Sequence, residues 1–294
     1  MSEARAADRA RLDTRRVRAA FDRASVGYDQ AAALQVRVRD ELAERLALFK
    51  LSPHVALDLG TGTGGGAQAL ARAYRRAIVL ALDASEGMLR EARRRSGIFR
   101  RFSRIRADAA ALPLAGASID LVFSSLMLQW CNDLADPLAE VRRVLRPGGL
   151  FAFSTFGPDT LKELRASWAA VDADSHVNRF LDMHDVGDAL TRAGFAEPVL
   201  DVERVVLTYS DTTALMRDLK AIGAHNATSG RPRALTGRTR MQNMRAAYEQ
   251  FRRDERVPAS FEIIYACAWG DDAQRARAGT GETRVPVGAI RRRI

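Results

Sequence analysis

The chain has 294 residues, 47% hydrophobic and 28% charged, which suits one large core with room for an insertion and excludes a disordered chain. Its formal charge of +10 gathers at the ends: residues 1–23 hold seven Arg against four acids and residues 271–294 six Arg against three. The mildly basic body is no nucleic-acid footprint, and no apolar run reaches the roughly 18 residues that a membrane span needs.

Val17, Phe21, Leu34, Val38, Leu42 and Leu46 fall at three- and four-residue steps, so a helical segment, 1–50, is expected ahead of the core. Residues 55–59 read as a strand running into a glycine turn and a helix over 64–74. Then follow a strand at 77–83, a helix at 86–96, strands at 102–107 and 119–124, and a helix at 134–145. Pro147-Gly148-Gly149 marks a turn before a strand at 150–155. Short unbroken runs of Val, Ile, Leu and Phe belong to a parallel sheet covered on both faces, so the fold class is α/β, doubly wound and Rossmann-like.

Beyond Phe156, helices are expected at 159–171 and 184–193, with Gly194 as a stop. A strand at 199–209, a helix at 212–222, a loop holding Gly230, Pro232 and Gly237, a helix at 238–252 and a strand at 259–269 complete the pattern. The main domain thus spans 51–270, with a helical lid insertion at about 210–258, and 271–294 reads as a disordered basic tail. Cys131 and Cys267 show no metal or disulfide spacing and suit a reducing compartment. Glu3, Asp8 and Asp13 speak against a transit peptide and the missing apolar stretch against a secretory signal, so the expected location is cytoplasmic.

The turn Asp58-Leu59-Gly60-Thr61-Gly62-Thr63-Gly64 would let a ligand approach the backbone closely. Asp83, followed by Ala84, ends the second strand where a carboxylate accepts ribose hydroxyl protons; it could equally cap the next helix. Asp108-Ala109 ends the third strand, within reach of an adenine amino group, and Ser124-Ser125 ends the fourth. These tips converge on the crevice where open α/β sheets bind ligands.

In combination, Asp58, Gly60, Gly62, Asp83, Asp108 and the Leu145 to Gly149 turn resemble the motif series of class I S-adenosylmethionine-dependent methyltransferases. The resemblance implies a seven-stranded sheet with an antiparallel last strand and S-adenosylmethionine as cofactor. It sets Asp58 near the methionine amino group, Asp83 on the ribose, and Asp108 and Ala109 beside the adenine. Met88 would pack on the adenine ring, or simply on the core. Phe21-Asp22-Arg23-Ala24, Tyr28-Asp29, Leu34-Gln35, Leu128-Gln129-Trp130-Cys131, the run His176 to Phe180 and the run Leu219 to Ala224 resemble the malonyl-acyl-carrier-protein O-methyltransferases of biotin synthesis. Phe156 to Arg165 and Val257-Pro258-Ala259 also resemble a complex I assembly factor regarded as an arginine hydroxylase. A small-molecule methyltransferase is a further reading.

A malonyl carboxylate, with a pKa of about 4 or lower, is already ionised at neutral pH and needs no general base. The site is therefore expected to position rather than react and to hold no metal. Tyr28, Gln129 and Trp130 are the positioning candidates, although Tyr28 and Trp130 could equally be packing residues. Arg179 is the expected grip on the acceptor carboxylate, for its fork geometry. Lys220, His225, Asn226 and Arg231 lie on the insertion that would roof the pocket. Arg231, Arg233, Arg238 and Arg240 could meet acyl-carrier protein or its phosphopantetheine phosphate. Neither nucleic acid nor membrane is an expected partner.

Overall fold

The computed structural model describes residues 11–96, 102–224, 226–228 and 237–270. Its strands are β1 (Val55–Leu59), β2 (Ile78–Asp83), β3 (Ser103–Arg106), β4 (Ile119–Ser125), β5 (Leu145–Phe156), β6 (Phe195–Tyr209) and β7 (Val257–Gly270). They form one sheet in the order β3-β2-β1-β4-β5-β7-β6. Strands β1 to β5 pair in parallel, and β7 runs antiparallel between β5 and β6. The helices in chain order are α1 (Thr14–Ala24), α2 (Tyr28–Ala31), α3 (Ala33–Leu46), α4 (Gly65–Ala73), α5 (Glu86–Arg95), α6 (Ala135–Val144), α7 (Lys162–Ala169), α8 (Met183–Arg192), α9 (Thr212–Ala221) and α10 (Arg238–Tyr248).

Successive strand residues point to opposite faces, and the two cores divide accordingly. Ala56, Leu121, Leu150 and Ile263 face one core; Leu57, Val122, Phe151 and Ile264 face the other. Leu34, Val38, Leu42 and Leu46 of α3 and Leu70 of α4 close the first. Leu138 and Val141 of α6 with Val186 and Leu190 of α8 close the second. Each buried aliphatic side chain contributes about 1.5–3 kcal/mol, so the covered sheet is a rigid platform for the loops at its carboxyl edge. Among the described residues, no helix is long and apolar enough to cross a membrane.

β6 begins at Phe195, ahead of the expected 199, and two further boundaries differ from the sequence pattern. Pro147-Gly148-Gly149 is not a turn ahead of a strand: it lies inside β5, where Gly148 takes φ +73° and the register against β4 shifts between Ile119 and Leu121. Such a bulge accommodates a proline that has no N–H to donate. Helix α7 starts later than expected because its approach is tied to β7. The Asp159 amide donates to the Glu262 side chain, the Thr160 hydroxyl to the Glu262 carbonyl, and Leu161 takes φ +55°. The expected tail at 271–294 lies outside the described residues.

Candidate active site

The glycine turn leaves β1 with its first amides held by β2: Gly60 N–H and Thr61 N–H both donate to the Leu82 carbonyl, at 2.8 and 2.9 Å. Gly62 then takes φ +54°, and a Cβ there would meet nothing within 4 Å. Its face is open to a ligand, and its left-handed backbone favours glycine. Gly60 serves a different contact, since a Cβ there would sit 2.2 Å from Met127 Cγ. Gly64 caps α4 at φ +87° and packs against Ala92 and Phe102; it does not line the cavity, so its role is structural rather than in direct binding.

A cavity of about 1170 Å³ opens over the carboxyl ends of the parallel strands. In one wing the wall includes Gly62, Asp83, Ala84, Met88, Asp108 and Ala109. Asp83 is held rigidly by Gly62 N–H on one carboxylate oxygen and Ser85 N–H on the other, both at 2.8 Å. Burial outweighs those donors and lifts its carboxyl above the ordinary carboxylate range. Asp108 accepts from Ala110 N–H at 3.0 Å.

Besides Gly64, two expected cofactor residues are placed elsewhere. Asp58 lies behind the turn and off the cavity wall, accepting the Thr61 hydroxyl at 2.5 Å. A Cβ on Gly66 would fall 2.7 Å from its oxygens, so the carboxylate sits under the start of α4 and braces the turn. Burial pushes its pKa up to about 6. Ser124 is fully buried and donates to the Leu59 carbonyl at 2.8 Å, whereas the next residue, Ser125, reaches the wall.

The N-terminal helices cover the cavity from the side. Asp22 of α1 accepts from the Ser85 hydroxyl at 2.6 Å and from Gly87 N–H at 2.9 Å, at the N-terminus of α5 where an anion is favoured. Burial acts to raise the Asp22 carboxyl, but the Ser85 and Gly87 donors with Arg106 and Arg18 carry it below its ordinary value. Phe21 meets Trp130 edge to face, 5.2 Å between centroids. Tyr28 lines the cavity, and burial with the nearby Asp83 and Asp29 charges raises its pKa, so its hydroxyl stays protonated. Gln129, on a 3-10 turn after β4, is anchored by donating to the Leu126 carbonyl at 2.7 Å.

The second wing is more apolar, with Phe156, Leu161, Trp168, Leu207, Met216 and Phe261 on its wall. The run His176 to Phe180 enters here, but Arg179 does not: it is exposed and off the wall, while His176, Val177, Asn178 and Phe180 line it. Lys220 does line the cavity from α9. Asn226 also borders it, yet its amide is engaged with the Ser175 carbonyl and with Thr228, which makes it a tie for the insertion. Arg240 is likewise committed, to Asp172 and Asp174. His225, Arg231 and Arg233 lie outside the described residues. Asp172, Asp174 and His176 together could offer three ligand atoms to a metal, but the Arg240 guanidinium already donates to both carboxylates.

Sequence reasoning passed over Asp22, His176 and Asn178 as site residues. All three stand within runs that the resemblance had marked, and neither charge nor spacing distinguished them from their neighbours.

An open glycine backbone, a ribose-height carboxylate at the end of β2, and Met88 and Ala109 beside it fit an adenosyl group. With this strand order they define a class I S-adenosylmethionine-dependent methyltransferase. A family model described as a methyltransferase domain matches residues 57–153. The fold is similar to that of a Bacillus halodurans protein described as a methyltransferase, at 19% identity, with TM-score 0.59 and coverage of 79% of this chain and 99% of that one. A malonyl-[acyl-carrier protein] O-methyltransferase of Methylovorus sp. is 52% identical over 277 residues, 92% of this chain and 93% of the relative. Its counterpart in Laribacter hongkongensis is 53% identical over 273 residues, 90% and 92% of the two chains. The chain belongs to the malonyl-[acyl-carrier protein] O-methyltransferase family.

Proposed function

We propose that this enzyme methylates the free carboxylate of a malonyl thioester carried on acyl-carrier protein or coenzyme A, giving the methyl ester that starts pimeloyl assembly in biotin synthesis. The observation that carries this reading is the identity with malonyl-acyl-carrier-protein enzymes over more than nine-tenths of the chain. When bound, S-adenosylmethionine supplies a sulfonium methyl group, to which a carboxylate oxygen bonds as the carbon–sulfur bond breaks.

The protein's task is then to hold, align and dehydrate the reactants. Asp83 would take the ribose hydroxyls, Met88 and Ala109 would hold the adenine, and Asp108 would accept from its amino group. Asp58 acts through the turn. Tyr28, Gln129 and Trp130 line the space between the two wings and orient the acceptor. Lys220 is the cation for the malonyl carboxylate. Arg11, Arg15 and Arg18 line the same cavity from the α1 side and form a rim for the acidic carrier. The 210–258 insertion, with α1, acts as the lid. Cytoplasm is the compartment, in keeping with two free cysteines.

Incubation with methyl-labelled cofactor and malonyl-loaded carrier protein should give a base-labile methyl ester. Label on protein arginine alone, or no label, would remove this reading.

A further inference from the structure

Asn178 is 7% exposed and lines the cavity, and its Oδ1 has no hydrogen-bond partner. Among the described residues one other buried side-chain oxygen is orphaned, Thr212 Oγ1, and Thr212 is not on the cavity wall. Buried polar groups are ordinarily paired, because an amide oxygen stripped of water loses its hydration without return.

The surroundings fix the unpaired oxygen in place. On one side of Asn178, His176 is stacked on Trp168 at 3.7 Å and bound to Asp172; on the other, Phe180 meets Phe156 at 5.6 Å. The segment is thus clamped at both flanks, and its central amide is held at the wall of the apolar wing. Asp83 and Asp108, the acceptors suited to the cofactor's hydroxyl and amino donors, stand in the other wing. With the cofactor's donors matched in the other wing, the methyl acceptor is the reactant that can supply a donor to Asn178.

That requirement selects among acceptor groups. A malonyl carboxylate and a thioester carbonyl only accept hydrogen bonds. An N–H must therefore lie further along the acceptor, and both coenzyme A and the carrier's prosthetic arm place an amide N–H two carbons from the thioester sulfur. We infer that Asn178 Oδ1 accepts a hydrogen bond from this amide N–H, so that the enzyme reads the thioester arm as well as the malonyl group. The assignment rests on the malonyl-thioester reading above.

The test compares two truncated malonyl thioesters, S-(2-acetamidoethyl) and S-(2-acetoxyethyl), which differ only in an N–H replaced by an oxygen. Wild type should prefer the amide by about tenfold in kcat/KM, the value of one buried hydrogen bond. Asn178→Leu should lose that preference while binding S-adenosylhomocysteine as wild type does. Asn178→Asp, which keeps an acceptor oxygen, should retain the preference even if turnover of both thioesters falls. Malonyl-coenzyme A and malonyl carrier protein should each lose about tenfold in Asn178→Leu, and their ratio in wild type tells which source the enzyme uses. A wild type indifferent to the N–H, or an Asn178→Leu protein that keeps the amide preference, overturns the assignment. No methyl ester from any malonyl thioester, loaded carrier protein included, removes the acceptor reading and this assignment with it.

Discussion

Asp22 of α1 and Ser85, the N-cap of α5, are joined by a 2.6 Å hydrogen bond. The approach is close: a Cβ on Gly87 would lie 2.8 Å from the Asp22 carbonyl oxygen and from Ser25 Oγ. The latch fixes α1 on the element that follows Asp83, and with it Phe21 over Trp130. Asp22→Asn keeps the size but removes a charged acceptor at a helix N-terminus, which costs about 1–3 kcal/mol. The expected result is a lower Tm, faster proteolysis in residues 25–27 and several-fold weaker S-adenosylhomocysteine binding. A variant unchanged in proteolysis and binding would show that α1 is held by apolar packing alone.

Asp83 should be the costliest single cofactor contact. In Asp83→Asn an amide NH₂ must face a backbone N–H, and one ribose acceptor is lost. S-adenosylhomocysteine affinity is expected to fall at least tenfold, roughly one charge-assisted hydrogen bond. Calorimetry on variant and wild type at one pH measures it.

Asp58 and Asp83 give cofactor binding a pH dependence. Burial raises both, Asp58 to about 6, so the native apo protein binds more protons than the unfolded chain between the ordinary carboxylate range and pH 6. Their contribution to apo stability therefore falls as pH rises through that window. A ligand carrying an ammonium group favours the ionised carboxylates. The thermal shift given by S-adenosylhomocysteine should be larger at pH 7 than at pH 5. Equal shifts at both pH values would mean that neither carboxyl titrates on binding.

Arg179 and Lys220 make opposite expectations. Because Arg179 is exposed and off the cavity wall, Arg179→Ala should keep kcat/KM within about twofold, the scale of a surface change. Lys220→Met, which removes the charge and keeps the stem, should raise KM for the malonyl acceptor at least fivefold with cofactor affinity intact. Steady-state kinetics on the two variants decide the matter, and the reverse ranking would restore Arg179.

Much of the framework was legible before any coordinates. Alternating strand and helix patterns placed all seven strands, the glycine turn located the crevice, and Asp83 and Asp108 were read at strand ends that do face it. Those features are local: hydrophobic periodicity reports the covered face of an element, and a positive φ calls for glycine whatever lies around it.

Other features turned on long-range geometry. Ser124 and Ser125 are neighbours on β4, and strand parity buries one and exposes the other to the cavity. Asp58 shares the motif of the glycine turn, yet it packs under α4. In the run His176 to Phe180, which has no helix or strand period, side-chain direction is set by Trp168, Asp172 and Phe156, and these leave Asn178 inside and Arg179 outside. The sequence alone determined the sheet and the turn, because each follows from backbone period and conformation, and its motif resemblance implied the cofactor class. Only the tertiary structure decided which polar residues meet the acceptor, because direction in an irregular segment depends on contacts made by residues distant in the chain.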